Sequence, residues 1–252
     1  MPDAVVVQIS DSHVGGAWPG ADPTQALTAT LDEIRRMPDR PDAVLVTGDL
    51  TDTGTQSETE LVAGLLGQLD VPVRVLPGNH DDRGRLRQYF PLPGTEGTPA
   101  HYTADFGPLR LVALDTTVPG ETGGRLDGER LSWLGAELAA APERPTLVAM
   151  HHPPISTGVH AWDEIGLPAA DRAALGDMVR RHPQVRRLVA GHVHQAIQGE
   201  LGSRQALTAP STCVQARLNL TAPRIELAAH PPGFAVHVLA DGEVISYVRF
   251  LS

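Results

Sequence analysis

The chain has a single cysteine, few aromatic residues, no long apolar run and a deficit of positive charge. Cys213, being alone, cannot close an intramolecular disulfide, and no cysteine-rich metal site can form. That fits a reducing compartment, and the expected role of the residue is a small buried apolar side chain. No stretch of about 18 apolar residues occurs, so no membrane-spanning helix is expected. The segment Ala4-Val5-Val6-Val7-Gln8-Ile9 runs directly into polar motifs without a basic start or room for a removable signal peptide, so a cytoplasmic location is expected. Lys and Arg number 20 against 30 Asp and Glu, a net charge of −10. That balance opposes binding to nucleic acid or an anionic membrane surface, and neither is expected as a partner.

What is present is an α/β pattern. With 252 residues and 41% hydrophobic content, the chain can bury one substantial core, and residues 1–252 are expected to form a single domain. Short runs rich in Val and Leu at 4–10, 43–48, 72–77, 110–115, 146–150 and 186–190 read as buried strands. Helical patterns alternate with them. The first, 22–37, has Asp22 as N-cap and Pro23 at the first helical position. Ser57-Glu58-Thr59-Glu60 reads as a capping box opening a second. Gly128 to Ala140 and Pro168 to Arg181 supply two more, the last stopped by Pro183. Beyond Gly191 the segments 197–201, 205–209, the region of Val214, 234–239 and 244–250 look strand-like, with Asp241-Gly242 a hairpin turn. These last sixty or so residues are expected to form a second sheet packed on the first. Pro91 to Pro99 reads as a surface loop.

Five polar motifs each follow an apolar run: Asp11-Ser12-His13, Gly48-Asp49, Gly78-Asn79-His80-Asp81, His151-His152 and Gly191-His192-Val193-His194. Ligands bind outside the carboxyl ends of strands in open α/β sheets, so these motifs can converge on one pocket. Seven side chains, Asp11, His13, Asp49, Asn79, His151, His192 and His194, offer the carboxylate, amide-oxygen and imidazole donors that Mn, Fe and Zn accept. In extended backbone Asp11 and His13 would share a side, as would His192 and His194, whereas the adjacent His151 and His152 would diverge and only one would reach a metal. Asp49 is the natural bridging ligand, since a carboxylate has two oxygens. A water between two metals loses a proton near neutral pH and can attack phosphorus in line. The departing alkoxide then needs a proton, and His80 is the side chain placed for that.

Other polar residues have blander readings. Asp81 is expected to orient its loop, Asp52 to sit in a surface turn and His152 to support the ligands. His101, His182, His230 and His237 read as surface or satisfied core histidines. His160 and Trp162 lie in the polar stretch Ile155 to Gly166, which is expected to border the substrate mouth; Trp162 would either stack on a base or anchor the loop.

The ordered set Asp-x-His, Gly-Asp, Gly-Asn-His-Asp, a histidine after the next long strand and Gly-His-x-His resembles the calcineurin-like metallophosphoesterases over about residues 5 to 194. The resemblance implies a four-layer αββα sandwich of two mixed sheets flanked by helices. It also implies one metal held by Asp11, His13, Asp49 and His194, and another held by Asp49, Asn79, His151 and His192. Asp49 and His80 would be the catalytic pair, with Asn79, His80 and His194 touching the substrate. Gly48 to Gly54, Gly78 to Gly84 and Met150 to Pro154 look like the bacterial branch of cyclic-nucleotide and glycerophosphodiester phosphodiesterases, which implies Mn or Fe, with Zn an alternative, and a homodimer. The expected activity is hydrolysis of phosphodiesters, 3′,5′-cyclic nucleotides first, through a metal-bridging hydroxide. Alternatives are a glycerophosphodiesterase, a broad phosphomonoesterase or phosphodiesterase, a nuclease, which the acidic charge disfavours, and a non-catalytic metal-binding interaction module.

Overall fold

A computed structural model describes residues 2–18, 20–221 and 223–251. In chain order the elements are β1 (Ala4–Ile9), α1 (Pro23–Arg35), β2 (Ala43–Thr47), α2 (Gln56–Leu66), β3 (Val73–Leu76), α3 (Arg83–Tyr89), β4 (Tyr102–Phe106) and β5 (Leu109–Ala113). They continue with α4 (Gly128–Ala140), β6 (Thr146–Ala149), α5 (His160–Glu164), α6 (Ala169–Arg181), β7 (Val185–Ala190), β8 (Gln198–Leu201) and β9 (Arg204–Thr208). Two short strands, β10 (Gln215–Ala216) and β11 (Leu227–Ala228), precede the terminal hairpin of β12 (Gly233–Ala240) and β13 (Glu243–Phe250).

The larger strands form two mixed sheets, ordered β13-β12-β1-β2-β3 and β4-β5-β6-β7-β9-β8. Both sheets are parallel at their centres, where β1-β2-β3 and β5-β6-β7-β9 pair, and antiparallel at the margins. Parallel neighbours need crossover connections, which helices supply for β1-β2, β2-β3, β5-β6 and β6-β7, while β7 and β9 are joined through β8.

Alternation along each strand builds the layers. Val5, Val7 and Ile9 of β1, with Val44 and Val46 of β2, pack against Leu27, Leu31 and Ile34 of α1 and Val62 and Leu66 of α2. The opposite faces carry Ala4, Val6, Ala43 and Leu45, which meet Leu109, Leu111, Leu147, Ala149 and Val189 of the second sheet. That sheet's outer face presents Val112, Val148 and Leu188 to Leu134 and Leu138 of α4 and Leu175 and Val179 of α6. The result is the αββα sandwich. Each central strand is apolar on both faces because each face is covered, so it reads as a continuous apolar run.

Two expectations need correction. The C-terminal strands do not make a second sheet of their own: β8 and β9 extend the β5-β6-β7 sheet, while β12 and β13 return to pair with β1. Central apolar strands in the two sheets have the same character, so sheet membership is not written in their periodicity. The helix expected at Ser57 is capped instead by Thr55, whose hydroxyl accepts from the Glu58 N–H while the Glu58 carboxylate accepts from the Thr55 N–H. The Thr55 register wins because Glu58 also receives the Thr53 N–H and hydroxyl. Other local readings hold. Asp22 accepts from the Thr24 and Gln25 N–H groups, and Asp241 and Gly242 take φ of 51° and 76°, the left-handed pair of a tight hairpin turn. The Pro91 to Pro99 segment is a largely exposed loop. The structure adds α3, β4 and β11, which the apolar and helical patterns do not mark.

The two candidate caps can be separated by urea unfolding. Thr55→Ala is expected to cost about 1 kcal/mol, and Ser57→Ala to stay within about 0.5 kcal/mol of the parent; equal losses would reject the assignment of the cap.

Candidate metal centre

The motifs leave the carboxyl ends of two facing sheets, not one. Asp11 and His13 follow β1, Asp49 follows β2, and Asn79 and His80 follow β3, all in the first sheet. His151 follows β6, and His192 and His194 follow β7, in the second. The site is therefore a seam. Beneath it the buried Gln8 amide donates to the Thr47 hydroxyl (2.8 Å) and across to the Ala190 carbonyl (2.9 Å), joining the two sheets.

The backbone here is left-handed rather than extended. Asp11, His13, Asp49, His192 and His194 have φ of 55°, 45°, 50°, 72° and 49°. Five of the seven non-glycine residues with positive φ among the described residues thus lie in this seam. Such conformations cost free energy and persist where the surrounding structure holds them, and they cluster at functional sites. The expected extended spacing of the Asp-x-His and His-x-His pairs is consequently wrong; their convergence comes from tight turns. Glycine makes the turns close. A Cβ on Gly78 would lie 2.1 Å from Asp49 Oδ1, and one on Gly191 would lie 1.9 Å from Ser10 Oγ.

The side chains converge from both sides. His13 Nε2 and His194 Nε2 are 3.0 Å apart, and Asp11 Oδ1 is 3.8 Å from the latter. Asn79 Oδ1 lies 3.1 Å from His151 Nε2 and 3.0 Å from His192 Nδ1. Asp49 stands between the two groups. Its Oδ1 accepts the His80 N–H at 2.9 Å, while Oδ2 lies 3.4 Å from His151 Nε2 and 3.7 Å from His13 Nε2. A single carboxylate oxygen, rather than both, faces the two groups.

The outer nitrogens decide what the inner ones offer. His151 Nδ1 meets the Thr47 carbonyl at 2.7 Å and His194 Nδ1 meets the Val214 carbonyl at 2.8 Å. A carbonyl can only accept, so both Nδ1 atoms carry the proton and both Nε2 atoms turn a lone pair inward. Inward acceptors then confront one another: His151 Nε2 faces the Asn79 oxygen and the Asp49 carboxylate. Acceptors packed this closely need a cation or a proton between them. Among the described residues four groups have ligand atoms mutually within 4.8 Å, Asp11-His13-His194, Asp11-Asp49-His151, His13-Asp49-His80 and His151-His152-His192, and the donors are those divalent metals accept, so the residues fit a metal pair.

Without metal, protons play that part. Burial opposes charge on His151, yet the Asp49 carboxylate beside it raises it to about 9. Burial likewise works against ionised Asp49, and His151 holds it well below the usual carboxylate range. Burial pushes Asp11 up to about 6 and His194 down to about 3.

The supporting residues divide as follows. Both His152 nitrogens are taken, by the Thr116 hydroxyl (2.8 Å) and the Thr122 carbonyl (3.1 Å), so of the adjacent pair His151 alone points inward with a free nitrogen. Asp81 accepts from the Leu50, Thr51 and Gly78 N–H groups and the Thr51 hydroxyl, pinning the Asn79-His80 loop to the Asp49 loop. Asp52 is not a mere surface turn: its Oδ1 is 3.2 Å from His13 Nδ1 and its carbonyl 2.6 Å from His80 Nδ1. His237 bonds Ser246 and Gln8 in the core, His101 accepts the Asp115 N–H, and His230 is exposed. The stretch Ile155 to Gly166 contains α5, and Trp162 on it is 7% exposed, its ring stacked on His194 at 6.2 Å and edge-on to His192 at 5.7 Å. It buttresses imidazoles and offers little open face for stacking. His160 is exposed and pairs with Glu164. The sequence reading passed over Trp18, whose ring is 5.3 Å from that of His13; its aromatic type five residues beyond the histidine was the available signal.

A metal held by His151 would displace the proton that Asp49 keeps there. Calorimetric titration with Mn at pH 7 in buffers of differing ionisation enthalpy is expected to show release of about one proton. Affinity should rise from pH 7 toward pH 9, as His151, held at about 9, loses its proton; a pH-independent affinity would contradict this.

Residues 4–196 match the model of the family described as calcineurin-like phosphoesterase. The chain is 34% identical over 241 residues to a protein of Arcobacter nitrofigilis named "Probable glycerophosphodiester phosphodiesterase", covering 92% of this chain and 88% of that one. It is also 34% identical over 216 residues to the 3′,5′-cyclic adenosine monophosphate phosphodiesterase of Pseudomonas aeruginosa, covering 84% and 77%. Among solved structures, a dimetal phosphatase from Danio rerio superposes with a TM-score of 0.68 at 16% identity over the full length of both chains, a likeness of fold. The chain belongs to the calcineurin-like phosphoesterases, hydrolases of phosphoester bonds that use a binuclear metal centre.

Proposed function

We propose that this chain is a phosphodiesterase acting on 3′,5′-cyclic nucleotides, with Asp11, His13, Asp49 and His194 holding one metal ion and Asp49, Asn79, His151 and His192 the other. The observation that carries the reading is the ring of inward acceptors around Asp49 Oδ2, with the outer nitrogens of His151 and His194 tied to carbonyls. Mn or Fe suits these donors, and Zn is accepted by the same set. When bound, such a pair supplies Lewis acidity toward the phosphoryl oxygens and an acidified water for in-line displacement.

The protein's own groups do the rest. The Asn79 amide nitrogen can hold a phosphoryl oxygen while its Oδ1 serves a metal, whereas His194, with Nδ1 on the Val214 carbonyl and Nε2 turned inward, keeps no donor for one. His80 Nδ1 donates to the Asp52 carbonyl, so Nε2 is its free atom; protonated, Nε2 gives a proton to the departing alkoxide. The Asp49 carboxylate fixes this loop by accepting the His80 N–H. The substrate class is supported by relatives named as cyclic-nucleotide phosphodiesterases, the Pseudomonas aeruginosa protein and a dual-specificity enzyme of Mycobacterium tuberculosis that is 33% identical over 229 residues. The Arcobacter nitrofigilis relative supports glycerophosphodiesters as a second substrate class.

A cytoplasmic location is part of the proposal, supported by the lone buried Cys213; among the described residues, no helix is long and apolar enough to cross a membrane. A homodimer is proposed too, supported by the exposed Ile245 and Tyr247 on the edge strand β13.

Chelation is expected to abolish hydrolysis of cyclic AMP and Mn to restore it. Protein that binds no metal and leaves bis(p-nitrophenyl) phosphate intact would instead be an interaction module. His80→Ala should lower kcat about 100-fold or more on cyclic AMP, and far less on the nitrophenyl ester, whose leaving group needs no proton. Equal losses on both substrates would reject the proton-donor role.

A further inference from the structure

A cavity of about 470 Å³ opens beside Asn79 and His80, walled by the residues after β2 and β3, the start of α3, and the loops carrying Glu96 and Thr117. His80 is the only aromatic side chain in its lining. A planar base would find no platform there.

Its charges are unequally compensated. Arg83 is paired with Asp115 at 2.7 Å and bonded to Thr117, and Arg85 faces Asp82 at 3.5 Å and donates to the Gly54 carbonyl. Asp81 is saturated by its four donors. Glu96, exposed at the rim, takes part in no ion pair or side-chain hydrogen bond among the described residues. Arg83 and Arg85 are thus paired, and Glu96 is the lining charge left without an ion-pair or hydrogen-bond partner among the described residues.

We propose that this cavity is the subsite for the leaving alcohol and that Glu96 makes it select polar alcohols that are neutral or cationic against anionic ones. The inference rests on the phosphodiesterase reading and on His80 as proton donor. In the reaction the bond from phosphorus to the alcohol oxygen breaks while a water oxygen bonds to phosphorus. The alkoxide takes its proton from His80 Nε2 at the inner end of the cavity, and the rest of the alcohol lies along the wall toward Glu96. An ammonium or hydroxyl group there gains an acceptor, whereas a carboxylate meets like charge.

The test uses Mn-loaded enzyme and three diesters of glycerol 3-phosphate whose second alcohol is ethanolamine, ethylene glycol or glycolate, following release of glycerol 3-phosphate. The expected order of kcat/KM is ethanolamine, then ethylene glycol, then glycolate. Glu96→Gln should compress the ethanolamine-to-glycolate ratio by about fivefold, the size that an exposed charge pair reaches, and Glu96→Lys should reverse the order. Glu96 is exposed in a loop, so both variants are expected to fold, which circular dichroism checks. Hydrolysis of cyclic AMP with a ratio that neither variant moves, or with none of the three diesters cleaved, would overturn the subsite alone. Failure on cyclic AMP and all diesters would overturn the phosphodiesterase reading itself.

Discussion

Everything at the centre depends on two sheets meeting face to face along their carboxyl edges. Asp11, Asp49 and Asn79 belong to one sheet, and His151, His192 and His194 to the other. The apolar layer that joins them, Val6 and Leu45 against Leu111 and Leu147, is therefore also what sets the distance between the two halves of the proposed ligand set. Burying such side chains stabilises each by roughly 1.5–3 kcal/mol. That gain holds together a cluster of buried carboxylates and imidazoles that is costly in itself. Gln8, donating across the seam to Ala190, ties the edges where the apolar layer ends.

The cost is visible in the backbone and in the protonation states. Left-handed turns at Asp11, His13, Asp49, His192 and His194 are strained for residues with a Cβ, and they persist because neighbouring glycines let main chains and side chains pack at distances no other residue would allow. Buried Asp49 stays ionised through His151, which its own burial would otherwise keep neutral. Trp162, stacked on His194, and the Thr47 and Val214 carbonyls fix the ring orientations. The residues around the proposed ligands are in this sense as much part of the site as those side chains are.

The site also has two unlike flanks. On the side of His13, His192 and His194 lie tryptophan rings, Trp18 and Trp162, one of them buried. On the side of His80 lies a polar cavity with little aromatic surface. The loop 91–99 contributes Glu96 and Gly97 to that cavity, and loops vary more freely than the sheets that support them.

Much of this was legible in the chain. Apolar runs ending in Asp, Asn or His marked the strands and the motif residues, because a strand covered on both faces must be apolar throughout and its end must turn polar to meet a ligand. Asp22 and the Asp241-Gly242 turn were readable because caps and turns are local chemistry. Which sheet each strand joins was not, since Val7 in β1 and Val148 in β6 have the same periodicity and the pairing of β12 with β1 links residues more than two hundred positions apart. Nor could periodicity show that Asp49 turns only Oδ2 toward both groups, that Asp52 reaches His13, or that Trp162 is buried. The sequence by itself determined the donors and their order, since these are properties of side chains and of short runs. Tertiary structure alone decided their convergence, their tautomers and the two flanks, since those depend on atoms brought together across the seam.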